Sequence, residues 1–144
     1  MKKFLAILTA VLAIGALQAG ALAADKQKAV YHVNGGDAKQ HLATLNNIQN
    51  HIKAVGKDNL DLRVVMHGNG LDLVKEAKTN KELSSRIDKL KLQGVAFNVC
   101  KNTLTGKKLD YKKDLYDVSE KDIVPAGVAE LAILQSKGFA YIKP

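Results

Sequence analysis

Five short apolar runs, each stopping at a turn and each separated from the next by residues of helical periodicity, restrict this chain to very few architectures. The first, 28–33 (Lys-Ala-Val-Tyr-His-Val), ends at Asn34-Gly35-Gly36. The second, 60–66 (Leu-Asp-Leu-Arg-Val-Val-Met), ends at His67-Gly68-Asn69-Gly70. The third, 94–99, runs straight into Cys100, and shorter runs occupy 122–124 and 139–142. Such runs bounded by Gly, Asn and Pro read as strands. Leu42, Leu45, Ile48, Ile52 and Val55 recur every three or four residues behind Asp37, a good N-cap, and stop at Gly56. That spacing predicts an amphipathic helix. A short helix carries Leu71, Leu73, Val74 and Ala77, and Asn80 caps another with Leu83, Ile87 and Leu90 on one face. One or two helical turns follow from 100 to 106, closed by Gly106, and a Lys- and Asp-rich loop spans 107–119. The last helix, 128–137, is apolar almost all round and ends at Gly138. Strand–helix alternation throughout predicts an α/β fold, a parallel sheet covered on both faces and joined by right-handed crossovers.

The first residues are of another kind. Met1-Lys2-Lys3 is cationic, Phe4 to Leu17 is an apolar stretch, and Ala21-Leu22-Ala23 has the small-x-small form of a cleavage site. This predicts a signal peptide over 1–23, export to the periplasm, and one domain over 24–144. The apolar stretch is short of the roughly 20 residues a span requires, so no membrane segment is expected after cleavage. Apolar residues make up 47% of the chain and charged ones 25%, which excludes disorder. The net charge is +8, but the lysines are scattered among acids and the chain has no Trp, so a nucleic-acid surface is not expected.

In parallel sheets ligands sit beyond the carboxyl ends of the strands. Those ends carry His32, Asn34, Gly35 and Gly36 from the first strand, and His67, Gly68, Asn69 and Gly70 from the second. The third supplies Asn98 and Cys100, the fourth Pro125 and Gly127. The chain holds one cysteine, so no internal disulfide, zinc cluster or iron–sulfur centre is available. Cys100 is either a small buried apolar group or a reactive thiol at a helix start, with Lys101 adding positive charge. His67 is positioned to hydrogen-bond the thiol or its adduct. His41 and His51 lie ten residues apart on one helix and do not form a metal pair. Gly68-Asn69-Gly70 lacks the Walker pattern, and there is no nucleophile elbow.

Three segments resemble the DsrE family, whose members share the YchN-like fold. They are Val64-Val65-Met66-His67-Gly68-Asn69-Gly70, then Gly94-Val95-Ala96-Phe97-Asn98-Val99-Cys100-Lys101-Asn102-Thr103-Leu104, and Ile123-Val124-Pro125-Ala126-Gly127-Val128-Ala129-Glu130-Leu131 continuing to Pro144. The resemblance implies a three-layer α/β/α domain with a mostly parallel five-stranded sheet, assembled as trimers or hexamers. It also implies a sulfur carrier that holds a persulfide on the matching Cys100 and passes it to a partner protein, without metal or organic cofactor. His67, Asn34, Asn69, Asn98 and Lys101 are then the expected binding residues. The alternative is a non-catalytic oligomeric protein that binds a small ligand or a partner, with Cys100 as buried packing.

Overall fold

A computed structural model describes residues 25–144; the predicted signal peptide, 1–23, lies outside the described residues. The order is β1 (Gln27–Val33), α1 (Ala38–Val55), β2 (Leu60–Met66), α2 (Asp72–Glu76), α3 (Lys81–Leu92), β3 (Ala96–Cys100), α4 (Lys101–Lys107), α5 (Tyr111–Asp114), β4 (Ile123–Val124), α6 (Gly127–Ser136) and β5 (Ala140–Ile142). Asp37 caps α1 by accepting from the Gln40 N–H at 2.8 Å, and Asn80 caps α3 by accepting from the Glu82 and Leu83 amides. Both caps satisfy amides that the first helical turn leaves without partners.

All five strands pair in parallel, in the order β4-β3-β2-β1-β5. The chain steps outward from β1 to β4, then returns past its starting point to lay β5 beside β1. A right-handed crossover that reverses direction must pass over the opposite face of the sheet. The packing reflects this. Ala29, Tyr31, Val33, Leu62, Val64, Met66, Phe97 and Val99 share the large core with α1, α2 and α3. Val30 and Val65, on the other face, pack with Leu131 and Leu134 of α6 and with Phe139. The fold is therefore three-layered, with three main helices on one side and α6 on the other. Among the described residues no helix is long and apolar enough to cross a membrane.

Two expectations from the sequence change. Gly106 lies inside α4, and the helix ends at Lys108, which takes a left-handed φ of 54°. The Lys108 N–H reaches Thr105 O and the Leu109 N–H reaches Leu104 O, which makes a Schellman cap. Leu109 packs against the core, so the apolar contact rather than a glycine sets the stop. The 107–119 stretch is also more ordered than a polar loop: Asp110 caps α5, Leu115 is buried, and the Tyr116 N–H donates to Val74 O at 2.8 Å.

Candidate functional site at the strand ends

Side chains of a strand alternate between faces, and residues paired in parallel strands share one. Val30 and Val65 face α6, so His32 and the extended His67, each two residues further on, face it as well. Asn98 pairs with Val65, which puts Cys100 on that face; Tyr141 pairs with Val30, which does the same for Tyr141. Four neighbouring strands, β5-β1-β2-β3, thus present Tyr141, His32, His67 and Cys100 as a row at one rim of the sheet.

Cys100 is the last residue of β3 and the N-cap of α4, and it is 5% exposed. Burial pushes its thiol up, but hydrogen bonds outweigh burial and hold it below its ordinary value. They come from the Thr103 hydroxyl and from the backbone N–H groups of Gly127, Thr103 and Asn102. Donors aimed at sulfur favour the thiolate. Thr103 Oγ1 also accepts from the Gly68 N–H at 3.0 Å, tying the His67 turn to the thiol. Gly127 is the second tie: a Cβ there would lie 2.9 Å from His67 Cβ, so only glycine lets the start of α6 approach both His67 and the sulfur.

His32 Nε2 and His67 Nε2 stand 2.7 Å apart, and His32 Nδ1 lies 2.6 Å from the Tyr141 hydroxyl. The ring centroids are 4.7 Å apart at an interplanar angle of 25°. With the nitrogens so much closer than the centroids, the rings meet edge to edge, as an in-line N–H···N bond requires, and not face to face. One proton occupies that gap, and Tyr141 can donate to His32 or accept from it. His32 is lowered to about 4 by burial, by Lys143 and by His67; burial and Lys143 lower His67. Both shifts favour the neutral rings at pH 7.

The remaining predicted residues are spread around this row. Asn34 Oδ1 accepts from Lys143 Nζ, beside the histidines. Asn69 Oδ1 accepts from Lys107 Nζ at 2.9 Å. Asn98 lines a different recess, of about 520 Å3, with Arg63, Lys121 and Asp122. Lys101 lines a third, of about 620 Å3, with Leu104, Tyr111, Ile123 and Pro125. The bonds that favour thiolate come from Thr103, Asn102 and Gly127 instead. On a helix the residue three positions on shares a face with Cys100, whereas the next residue does not. His41 is fully buried, holding Gly35 O at 2.8 Å, and His51 bonds Tyr31; neither joins the rim. No group of three or more metal-ligating side chains occurs among the described residues. Sequence reasoning placed His32 at the rim without a role and passed over Tyr141, Lys143 and Thr103. The signal for Thr103 was its i+3 spacing from Cys100; for Tyr141 and Lys143 there was none without the strand order.

A family model described as the DsrE/DsrF-like family matches residues 21–144. Among solved structures, a protein of unknown function from Methanobacterium thermoautotrophicum, MTH1491, is 28% identical with a TM-score of 0.72, covering 83% of this chain and all of that one. The ychN protein from E. coli is 18% identical with a TM-score of 0.64, covering 82% of this chain and 99% of that one; that likeness concerns the fold. No curated protein matches the chain.

Proposed function

This chain belongs to the DsrE/DsrF-like family, and on that premise we propose that it is a periplasmic sulfur carrier that holds a persulfide on Cys100. The observation that carries the reading is the placement of Cys100 at the N-cap of α4, in one row with His32 and His67, where the groups around the sulfur hold its thiol below the ordinary value despite burial. The thiolate attacks the sulfane sulfur of a donor. An Sγ–S bond forms, the donor's bond to that sulfur breaks, and the leaving group departs with the electron pair. An acceptor thiolate then attacks the outer sulfur, and the Sγ–S electron pair returns to Cys100. The same amides and hydroxyl that hold the thiolate before loading receive it again after delivery.

The test is intact-mass and peptide mass spectrometry of the mature protein after exposure to thiosulfate or polysulfide. One added sulfur atom on Cys100, absent in Cys100→Ser and removed by a reductant, is expected; no adduct from any sulfane donor overturns the reading. The low exposure of Cys100 supports a second reading, a non-catalytic oligomeric binding protein with a structural cysteine, and that outcome would favour it.

Export rests on the leader-like Met1–Ala23 sequence. N-terminal sequencing of the protein recovered from the periplasm should begin near Ala24; retention of Met1 in the cytoplasm argues against it. Self-association into a trimer or hexamer is supported by apolar side chains left in solvent, Val128 at 65% and Ile133 at 45% exposed on α6.

A further inference from the structure

The rim is short of negative charge. Lys143 follows β5 directly, in a tail held to α1 by the bond from Gln40 Nε2 to Pro144 O at 2.9 Å. Among the described residues its ammonium pairs with no carboxylate; it donates to the neutral Asn34 Oδ1. Its charge falls on both imidazoles of the row and disfavours a proton on either. The groups around the pair are Lys143 and Tyr141 from β5 and its tail, and the Cys100 cradle from β3. The packed helix α6 carries one carboxylate, Glu130, half-buried one turn beyond Gly127, and it is not among the charges that act on either ring. His67 Nδ1 has no hydrogen-bond partner among the described side chains, whereas all three other ring nitrogens of the pair do. A cation without a counter-ion, beside two neutral bases and one free ring nitrogen, is an arrangement that an anion would complete.

We propose that Lys143, His32 and His67 form an anion seat beside Cys100, which selects oxyanionic sulfur donors of the thiosulfate type and takes up a proton as they bind. That such an anion serves as a donor rests on the sulfur-carrier reading; the seat itself does not.

Charge balance, rather than the number of hydrogen bonds, drives the uptake, since with Tyr141 donating to His32 the neutral pair can already offer His67 Nδ1–H to an anion. Two neutral rings share two protons among four nitrogens. An anion beside Lys143 offsets the ammonium and brings negative charge within a few ångströms of the pair, which favours imidazolium. A third proton then fills the set: His32 Nδ1–H donates to the Tyr141 oxygen, one Nε2–H remains in the gap between the rings, and His67 Nδ1–H donates to the anion. No existing bond is lost. In a transfer step the Cys100 thiolate would bond the sulfane sulfur while its bond to the sulfonate sulfur breaks. Sulfite leaves with the electron pair, and its charge stays on the seat.

The experiment uses Cys100→Ser in the full mature chain, which removes covalent chemistry. Sulfite and thiosulfate are titrated calorimetrically near pH 6.5 in two buffers of different ionisation enthalpy, with chloride as the control anion. Both oxyanions should bind more tightly than chloride; proton uptake from the buffer is read with thiosulfate, a full dianion at this pH, because sulfite is largely bisulfite there and brings a proton of its own. Lys143→Gln should weaken them by about tenfold or more, the loss of one charge-assisted contact. His32→Gln should bind with the proton uptake reduced or gone. Equal affinity in Lys143→Gln, thiosulfate binding without proton uptake, or no preference over chloride would each overturn the seat, even if Cys100 takes sulfur from polysulfide. Lys143-dependent binding to Cys100→Ser, with no sulfur adduct on the wild type, would sustain the seat and remove the carrier.

Discussion

Cys100 shows how one residue's chemistry is set by neighbours that the chain supplies from three places. Its donors come from α4, from the α6 start, and through Thr103 from the His67 turn. Thr103→Val should therefore raise the thiol pKa and slow iodoacetamide alkylation at pH 7, by about tenfold for each unit gained. A wild-type alkylation profile with its midpoint at or above the ordinary thiol value would contradict the cradle. The histidines give a stability signature. His32 titrates at about 4 in the folded chain against an ordinary 6.5, and His67 is also lowered, so the unfolded chain binds more protons in between. Their contribution to stability is complete above about pH 6.5 and is lost as pH falls towards 4. Denaturant melts across that range should show the decline, and His32→Gln should flatten it. The thiol was visible in the sequence because it is the chain's one cysteine and follows an apolar strand. Its helpers were not, because hydroxyl and amide donors have no composition signal.

At the scale of elements, caps and close approaches decide where things stop and touch. Asn80→Ala should cost about 1 kcal/mol in urea unfolding, as N-cap losses do. Lys108→Gly should stabilise by about 0.5–1 kcal/mol, since the Schellman position already holds φ of 54° that a lysine adopts under strain. Gly127→Ala is the sharper test. Its Cβ would meet His67 Cβ at 2.9 Å, so α6 or the His67 turn must move. A loss of about 1–3 kcal/mol is expected, together with faster or slower alkylation of Cys100. Unchanged thiol reactivity would show that the Gly127 amide does not act on the sulfur. The helices and central strands were legible because periodicity and caps are local. The end of α4 was not, because it is set by Leu109 reaching the core rather than by the nearest glycine.

For the whole molecule, the uneven cover of the sheet is the governing fact: one face holds α1, α2 and α3, and the other α6. A parallel sheet is stable when both faces are covered, and α6, which alone covers the second face, leaves Val128 and Ile133 exposed; the proposed self-association would bury them. Light scattering after size exclusion should give a mass several times that of one chain. Val128→Glu with Ile133→Glu should shift it to the monomer, and a strict wild-type monomer at micromolar concentration would refute self-association. By itself the sequence determined the α/β class, the order of the strands and of every helix but α5, two helix caps and the rim position of Cys100 and His67, because each depends on residues within a turn or two of one another. The row of four side chains was decided by the tertiary structure alone. Tyr141 meets His32 across 109 positions of chain, and that contact exists because β5 returns to the free edge of β1, a choice made by packing α6 against the uncovered face rather than by any pattern near either residue.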